Sequence, residues 1–285
     1  MNQQLLQVRR LKVDDLPALE KMKTGIEDDY VIHIFDRLIH SSTQGLFGLF
    51  QGNRLISLAG YSLFGQNQFA MIGRLRSDMR YRGKGFAADL LKHVIEHIKD
   101  KNYIKWIGAN THVHNLSARR LLEKSGFTPD KVTHCLTLTK PASLSSHTPG
   151  PIWEEIAGTQ TKRKILLSIE SNELGLFPYE CYYPFPYDPA FFTDHYLHDA
   201  HLYMNPSGDR FVLIKNDQKK YKYSHTKYFW NDHYEQPGFF ETILHHWQQN
   251  PENTGCWIDI SEEGFRKIPD LSPYDVQKPW VLYKH

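Results

Sequence analysis

Arg82-Gly83-Lys84-Gly85-Phe86-Ala87 is the stretch whose reading decides the fold. It stands between a run that reads as a strand, Phe69 to Ser77, and a run that reads as a helix, Phe86 to Lys99, with Leu90, Leu91, Val94, Ile95 and Ile98 on one face. Glycines at such a junction remove the Cβ atoms that would hold a ligand away from the backbone. The first turn of a helix also offers amide N–H groups with no partner inside the helix. Helix dipole and the side chains of Arg82 and Lys84 then concentrate positive charge at one point. The segment predicts an anion site, and a phosphorylated ligand to fill it.

Outward from this loop the pattern is mixed. A strand at Leu5 to Val13 leads into a helix opened by Asp14-Asp15 and Pro17 and running to about Lys23. The acidic segment Glu27-Asp28-Asp29 precedes one amphipathic helix carrying Ile32, Ile34, Phe35, Leu38 and Ile39. Gly45 to Phe50 and Arg54 to Phe64 read as a hairpin around Gln51-Gly52-Asn53. After the glycine-rich loop and its helix come a strand at Lys105 to Ala109 and a helix at Asn115 to Lys124, stopped at Gly126. A strand at Asp130 to Lys140, with Val132, His134, Leu136 and Leu138 on one side, ends the series. This order predicts an α/β fold, a mixed sheet flanked by helices.

Pro141 to Pro151, P-A-S-L-S-S-H-T-P-G-P, has the composition of a linker. It divides the chain into a first domain at 1–140, a linker at 141–152 and a second, α+β domain at 153–285. The second domain crowds aromatic residues into Leu176 to Tyr203, a core that could also close over an acceptor and shape its choice. Its strands at Phe211 to Lys215, Lys220 to Trp230, Cys256 to Ile260 and Trp280 to Tyr283, with a helix at Gly238 to Gln249, echo the later half of the first domain. No glycine-rich loop accompanies the echo, which suggests a degenerate second copy.

Composition excludes other classes. Basic and acidic residues, 34 against 32, alternate along the chain and leave no basic face for nucleic acid. Cys135, Cys181 and Cys256 are far apart and match no metal spacing, which suits free thiols in a reducing, cytoplasmic setting. The first residues lack a signal-like apolar core, and no apolar run approaches the roughly 20 residues that span a bilayer. A soluble chain with no membrane partner is expected, and a homo-oligomer is compatible with it. His93-Val94-Ile95-Glu96-His97 matches the H-x-x-E-H zinc pattern, but Glu96 faces outward with Lys92, a solvated rim. His195, His198 and His201, with Asp194 and Asp199, drift around a helix. No metal is expected from either group.

Arg82 to Ala87 fits the loop Arg/Gln-x-x-Gly-x-Gly/Ala, and Asn115-Leu116-Ser117-Ala118, followed by Gly126-Phe127, fits a second signature about thirty residues on. With both in this element order, the first half of the chain resembles the GNAT superfamily of acyl-coenzyme A-dependent N-acyltransferases. The resemblance implies acetyl-coenzyme A as acyl donor. Backbones of Gly83, Lys84, Gly85, Phe86 and Ala87 would hold its pyrophosphate, with Arg82 near the phosphates. The main chain at Leu75 to Ser77 would grip the pantetheine arm on a strand that splays from its neighbour, and Asn115 would lie beside the same arm. A primary amine, of a small molecule such as an amino acid or other amine metabolite, would attack the thioester directly in a ternary complex.

The chain departs from the family where the chemistry is done. Many members carry a tyrosine where Leu122 stands, and a glutamate on the strand before the loop, where Phe69 to Ser77 has no carboxylate. Candidates to replace them are His112 and His114, whose ordinary pKa near 6.5 suits proton transfer, and Glu27, Asp28 and Asp29. These departures leave a second reading, a non-catalytic acyl-coenzyme A-binding or sensor module.

Overall fold

The computed structural model describes residues 5–285, which form two compact units. The first holds the chain up to Thr111, Asn115–Asp130 and Tyr283–His285; the second holds His112–His114 and Lys131–Leu282.

In the first unit β1 (Leu6–Arg10) is followed by α1 (Leu16–Glu20), α2 (Tyr30–His33) and α3 (Phe35–His40), and then by β2 (Gln44–Gln51), β3 (Arg54–Phe64) and β4 (Phe69–Ser77). The helix α4 (Phe86–Lys99), the strand β5 (Trp106–His112) and the helix α5 (Leu116–Lys124) complete the series. Strands β1 to β4 pair antiparallel in sequence order, and β5 lies parallel to β4. Helices cover both faces, as alternation along β2 shows. Leu46 packs with Leu19, Val31, Phe35 and Leu38 of the first three helices, whereas the next residue, Phe47, meets the rings of His93 and His97 on α4. These contacts, with Lys92 and Glu96 outside at 4.0 Å, account for the H-x-x-E-H pattern as a helix rim.

The single helix expected across Ile32 to Ile39 is two short ones that part at Ile34, whose φ of −106° and ψ of 10° leave the helical region. Val31, Ile32 and Ile34 are β-branched and lose side-chain freedom in a helix, and the Asp29 carboxylate caps α2 through Val31 N at 3.0 Å. At the far end of the chain His285 N donates to Ile107 O at 3.0 Å, so the last residues complete the first unit.

The second unit takes up β6 (Thr128–Leu138) from Lys131 on, and it continues through β7 (Glu154–Glu155), α6 (Thr159–Leu167), β8 (Phe177–Glu180), β9 (Tyr183–Phe185) and α7 (Asp194–His198). There follow β10 (Ala200–Met204), β11 (Phe211–Gln218), β12 (Lys222–Lys227), α8 (Phe239–Gln249), β13 (Cys256–Ser261), α9 (Glu262–Arg266), β14 (Tyr274–Val276) and β15 (Trp280–Lys284), of which Tyr283 and Lys284 belong to the first unit. Its strand order is β6-β13-β12-β11-β10-β7, with β14 also on β6 and β8 and β9 forming a separate hairpin. Because Thr133 to Leu138 pair with β13, the unit begins before the expected linker, and the break anticipated at 141–152 falls inside it. That pairing buries β6 on both faces from Thr133 onward, not only on the face of His134, Leu136 and Leu138, while Val132 stays exposed. The strand expected over Lys220 to Trp230 stops at Lys227.

The echo between the two halves is structural. In the first unit β3 and β4 are antiparallel and α4 carries the chain to a parallel β5; in the second β11 and β12 are antiparallel and α8 carries it to a parallel β13. Each crossover helix starts from a left-handed glycine, Gly85 at φ +84° and Gly238 at φ +80°. Their surroundings differ. Gly238 is covered by the chain itself, since Gly238 N donates to Thr148 O at 3.3 Å and a Cβ there would strike Pro151 O. Phe177, Phe185, Phe191 and Phe192 are fully buried against one another, so the aromatic cluster is core.

Candidate functional site

Strand β4 changes character halfway along. Its register with β3 runs Gly60↔Gly73 and then Leu58↔Arg76, so Arg74 and Leu75 together oppose the single residue Ala59. This is a β-bulge, and Arg74 enters it at φ +56°, a left-handed conformation that costs a non-glycine residue on the order of 1 kcal/mol. The Arg74 guanidinium anchors the bulge by donating to Ser62 Oγ at 3.0 Å and Gln44 Oε1 at 2.6 Å. On its other edge β4 pairs with β5 from Phe69↔Trp106 to Ile72↔Ala109 and no further, although both strands run on. The backbones of Gly73 to Ser77 and of Asn110 and Thr111 therefore flank a gap at the C-terminal ends of two parallel strands, where open α/β sheets take their ligands.

After the bulge the Arg76 side chain turns to Asp29, with Nε at 2.6 Å from Oδ2 and one terminal nitrogen at 2.7 Å from Oδ1. Burial alone would raise the Asp29 pKa, but the guanidinium holds the carboxyl below its ordinary range. Asp29 is thus spent on a buried ion pair and is no candidate for proton transfer. Asp78 plays the same part at the end of β4. Its fully buried carboxylate accepts from Arg80 Nε at 2.8 Å and from the backbone N–H groups of Arg80 and Lys23, and these bonds, Arg80 first, hold its pKa at about 2.

The loop that follows is open. Gly83 has φ +78° and Gly85 +84°, and a Cβ at either would meet no atom within 4 Å. Gly85 caps α4 without a side chain, while Ala88 N and Asp89 N both turn back to Gly85 O. Phe86 N and Ala87 N, in the first turn, have no carbonyl a turn earlier in the helix to pair with. Arg82 reaches Thr24 O at 2.9 Å, and Lys84 Nζ stands 5.3 Å over the Tyr81 ring. A groove of about 640 Å³ abuts the loop through Tyr81 and is lined by Lys21, Gln51, Asn53, Arg54 and Arg80, with no carboxylate in its lining.

Asn115 is the N-cap of α5: its Oδ1 accepts from Ala118 N at 3.2 Å and its Nδ2 donates to Thr111 Oγ1 at 3.3 Å, which fixes the turn between β5 and α5. The four remaining candidates for proton transfer are divided between the two units. Glu27 and Asp28 are exposed in the first unit, and Asp28 lies 2.6 Å from His33 Nε2. His112 and His114 belong to the second unit; His114 is exposed, and the His112 ring sits 3.8 Å from that of Trp280 with its pKa lowered, chiefly by burial. Leu122 is buried in α5 and can donate nothing. One residue went unnoticed in the sequence. Tyr283 accepts from Arg119 Nε at 2.9 Å and donates to Glu123 Oε1 at 2.8 Å, so a tyrosine hydroxyl does lie on α5, brought there from the end of the chain.

Residues 7–127 match the model of the acetyltransferase (GNAT) family. A spermine/spermidine N(1)-acetyltransferase of Bacillus subtilis is 28% identical over 120 residues, which cover 40% of this chain and 73% of the relative. Among solved structures, a GCN5-related N-acetyltransferase from Sphaerobacter thermophilus covers 98% of this chain and 95% of its own with a TM-score of 0.58 at 13% identity, so the likeness in fold extends over both units. A spermidine N-acetyltransferase from Vibrio cholerae, solved with coenzyme A and spermine, covers 45% of this chain and 83% of its own at 21% identity and a TM-score of 0.37. No helix among the described residues is long and apolar enough to cross a membrane.

Proposed function

We propose, from the match of residues 7–127 to the acetyltransferase (GNAT) family, that this chain moves the acetyl group of acetyl-coenzyme A to the primary amine of a small, cationic acceptor in the cytoplasm. The observation that carries the reading is the loop at Gly83 and Gly85, open to solvent where the matching glycine of the second unit is covered. The donor's diphosphate would accept from the amides of Gly83 to Ala87, each charge-assisted bond contributing on the order of 1.5–3 kcal/mol. The groove of Lys21, Arg54 and Arg80 would take its remaining phosphate. The pantetheine arm would lie in the gap between β4 and β5, along Leu75 to Ser77 and past Asn115.

The chemistry then needs little beyond placement. A neutral amine attacks the thioester carbon, the C–N bond forms, the C–S bond breaks, and the amine's extra proton is released. An amide freed by the bulge at Arg74 and Leu75 can receive the carbonyl oxygen as its charge grows. A thiol of ordinary pKa, about 8.5, leaves as its anion without an obligatory acid, so Leu122 in the tyrosine slot is tolerable, and holding amine and thioester together supplies much of the rate. Glu27 and Asp28, exposed on the segment before α2, would draw in a cationic acceptor. The B. subtilis relative, named for acting on spermine and spermidine, supports an acceptor of that class.

Thiol release from acetyl-coenzyme A is the test, run with polyamines, amino acids, aminoglycosides and peptides and with mass spectrometry of the product. Amine-dependent release with a matching N-acetyl product is expected. Tight coenzyme binding with no transfer to any amine would reduce the chain to a binding module. Glu27→Gln, Asp28→Asn, His112→Gln, His114→Gln and Tyr283→Phe then separate the proton-transfer candidates by their pH–rate profiles.

A further inference from the structure

The second unit contains a buried set of side chains that the acyl transfer does not use. Cys181 lies in the tight turn between β8 and β9, where Tyr182 is held at φ +71°, and its backbone N donates to Asp217 Oδ2 at 2.7 Å. Asp217 near the end of β11 pairs in register with Tyr223, and His225 is two residues on along β12, so Asp217 and His225 project from one face of the sheet. The Cys181 sulfur, a carboxylate oxygen of Asp217 and a ring nitrogen of His225 all lie within 4.8 Å of one another.

The histidine is oriented as a ligand. Its Nε2 is 2.7 Å from Asp259 Oδ2, a carboxylate that fixes the proton on that nitrogen. Nδ1 is left with its lone pair, and it is buried with no hydrogen-bond partner. An orphaned acceptor at a fully buried residue costs roughly 1–3 kcal/mol, and a carboxylate behind a histidine is the usual support of a metal ligand. Full burial of Cys181 and His225 removes the other use of such a set, nucleophilic catalysis, which needs access for a substrate.

We propose that Cys181, Asp217 and His225 Nδ1 bind one zinc ion, with a water as fourth ligand and Asp259 as the support of His225. A thiolate, an imidazole and a carboxylate are the donor set that zinc takes in tetrahedral sites. Asp217, whose side chain keeps 15% exposure, is the point of entry. Zinc offsets most of the negative charge of the Cys181 thiolate, Asp217 and Asp259, and Lys219, 3.4 Å from Asp217, is shared with Glu180 at 2.8 Å. Ligation as a thiolate displaces the Cys181 proton. The ion would tie the β8–β9 hairpin to the strands β11 and β12.

The test uses the full chain, stripped by dialysis against a chelator and titrated with cobalt(II), the spectroscopic stand-in for zinc. A thiolate-to-cobalt charge-transfer band that saturates at about one equivalent is expected, with release of protons and a raised thermal midpoint on adding zinc. Cys181→Ser and His225→Gln should lose the band, and Cys256→Ser, whose sulfur faces Ile243 O on α8, should keep it. The titration of the unaltered chain decides the matter even if a variant does not fold. No charge-transfer band with cobalt in excess and no change in thermal midpoint with zinc would overturn the proposal, and so would a band that survives in a folded Cys181→Ser.

Discussion

Replacing Gly85 by alanine separates the two things that residue does. Its φ of +84° is a conformation that an L residue adopts at a cost of about 1–2 kcal/mol, and since no atom lies within 4 Å of the new Cβ, that strain is the whole folding penalty. Gly158, the N-cap of α6, has φ +79° with ψ 130° and the same empty surroundings, so Gly158→Ala should lose at least as much, about 1–3 kcal/mol. The coenzyme tells the two apart. At Gly85 the methyl group points into the space that the diphosphate would fill; loss of one or two charge-assisted bonds at 1.5–3 kcal/mol each corresponds to a fall in affinity of roughly 10- to 10⁴-fold. Calorimetric titration with coenzyme A, alongside urea denaturation, reads both quantities on each variant. The expected pattern is destabilisation of both variants with coenzyme affinity lost only in Gly85→Ala. Equal coenzyme affinity in both variants would refute the loop assignment, because the strain would then be the only effect of the methyl group.

Further outcomes follow from the same geometry. Asp29→Asn leaves the Arg76 guanidinium buried without its carboxylate and should destabilise the chain by about 3–5 kcal/mol in urea denaturation; a loss under 1 kcal/mol would show that water replaces the pair. Asp78 titrates at about 2 in place of 3.8, a gap worth about 2 kcal/mol that is present above pH 4 and vanishes as the pH falls through the folded value. The advantage of the unaltered chain over Asp78→Asn should therefore shrink between pH 4 and pH 2, and a constant advantage would contradict the pairing. Coenzyme A should bind more tightly than dephospho-coenzyme A, and in a Lys21→Gln, Arg54→Gln double variant that preference should disappear; a preference left intact would place the third phosphate elsewhere than the groove.

What could be read in the sequence was local. The strand Phe69–Ser77 and the helix Phe86–Lys99 have the expected bounds, because an apolar stripe and a pair of glycines specify a strand, a turn and a helix with no help from distant residues. The bulge on β4 left no such mark. Its left-handed residue is Arg74, not glycine, and its stability comes from Ser62 and Gln44 on neighbouring strands. The same holds for Tyr283, which reaches α5 from 160 positions away along the chain, measured from Glu123. Cys181, Asp217 and His225 share no motif spacing; the register of β11 with β12 and a tight turn between β8 and β9 bring them together. Asp29 reads as a free acid beside Glu27 and Asp28 until the bulge delivers Arg76 to it.

The central claim, that the loop and the splayed strands hold the acyl donor through their backbones, is tested most directly by amide NMR of the ¹⁵N-labelled chain titrated with coenzyme A. The account predicts the largest shifts at the N–H groups of Gly83, Gly85, Phe86 and Ala87, with a second set from Gly73 to Ser77 and none at Gly158 or Gly238. Saturable binding that leaves the loop amides unmoved would contradict it.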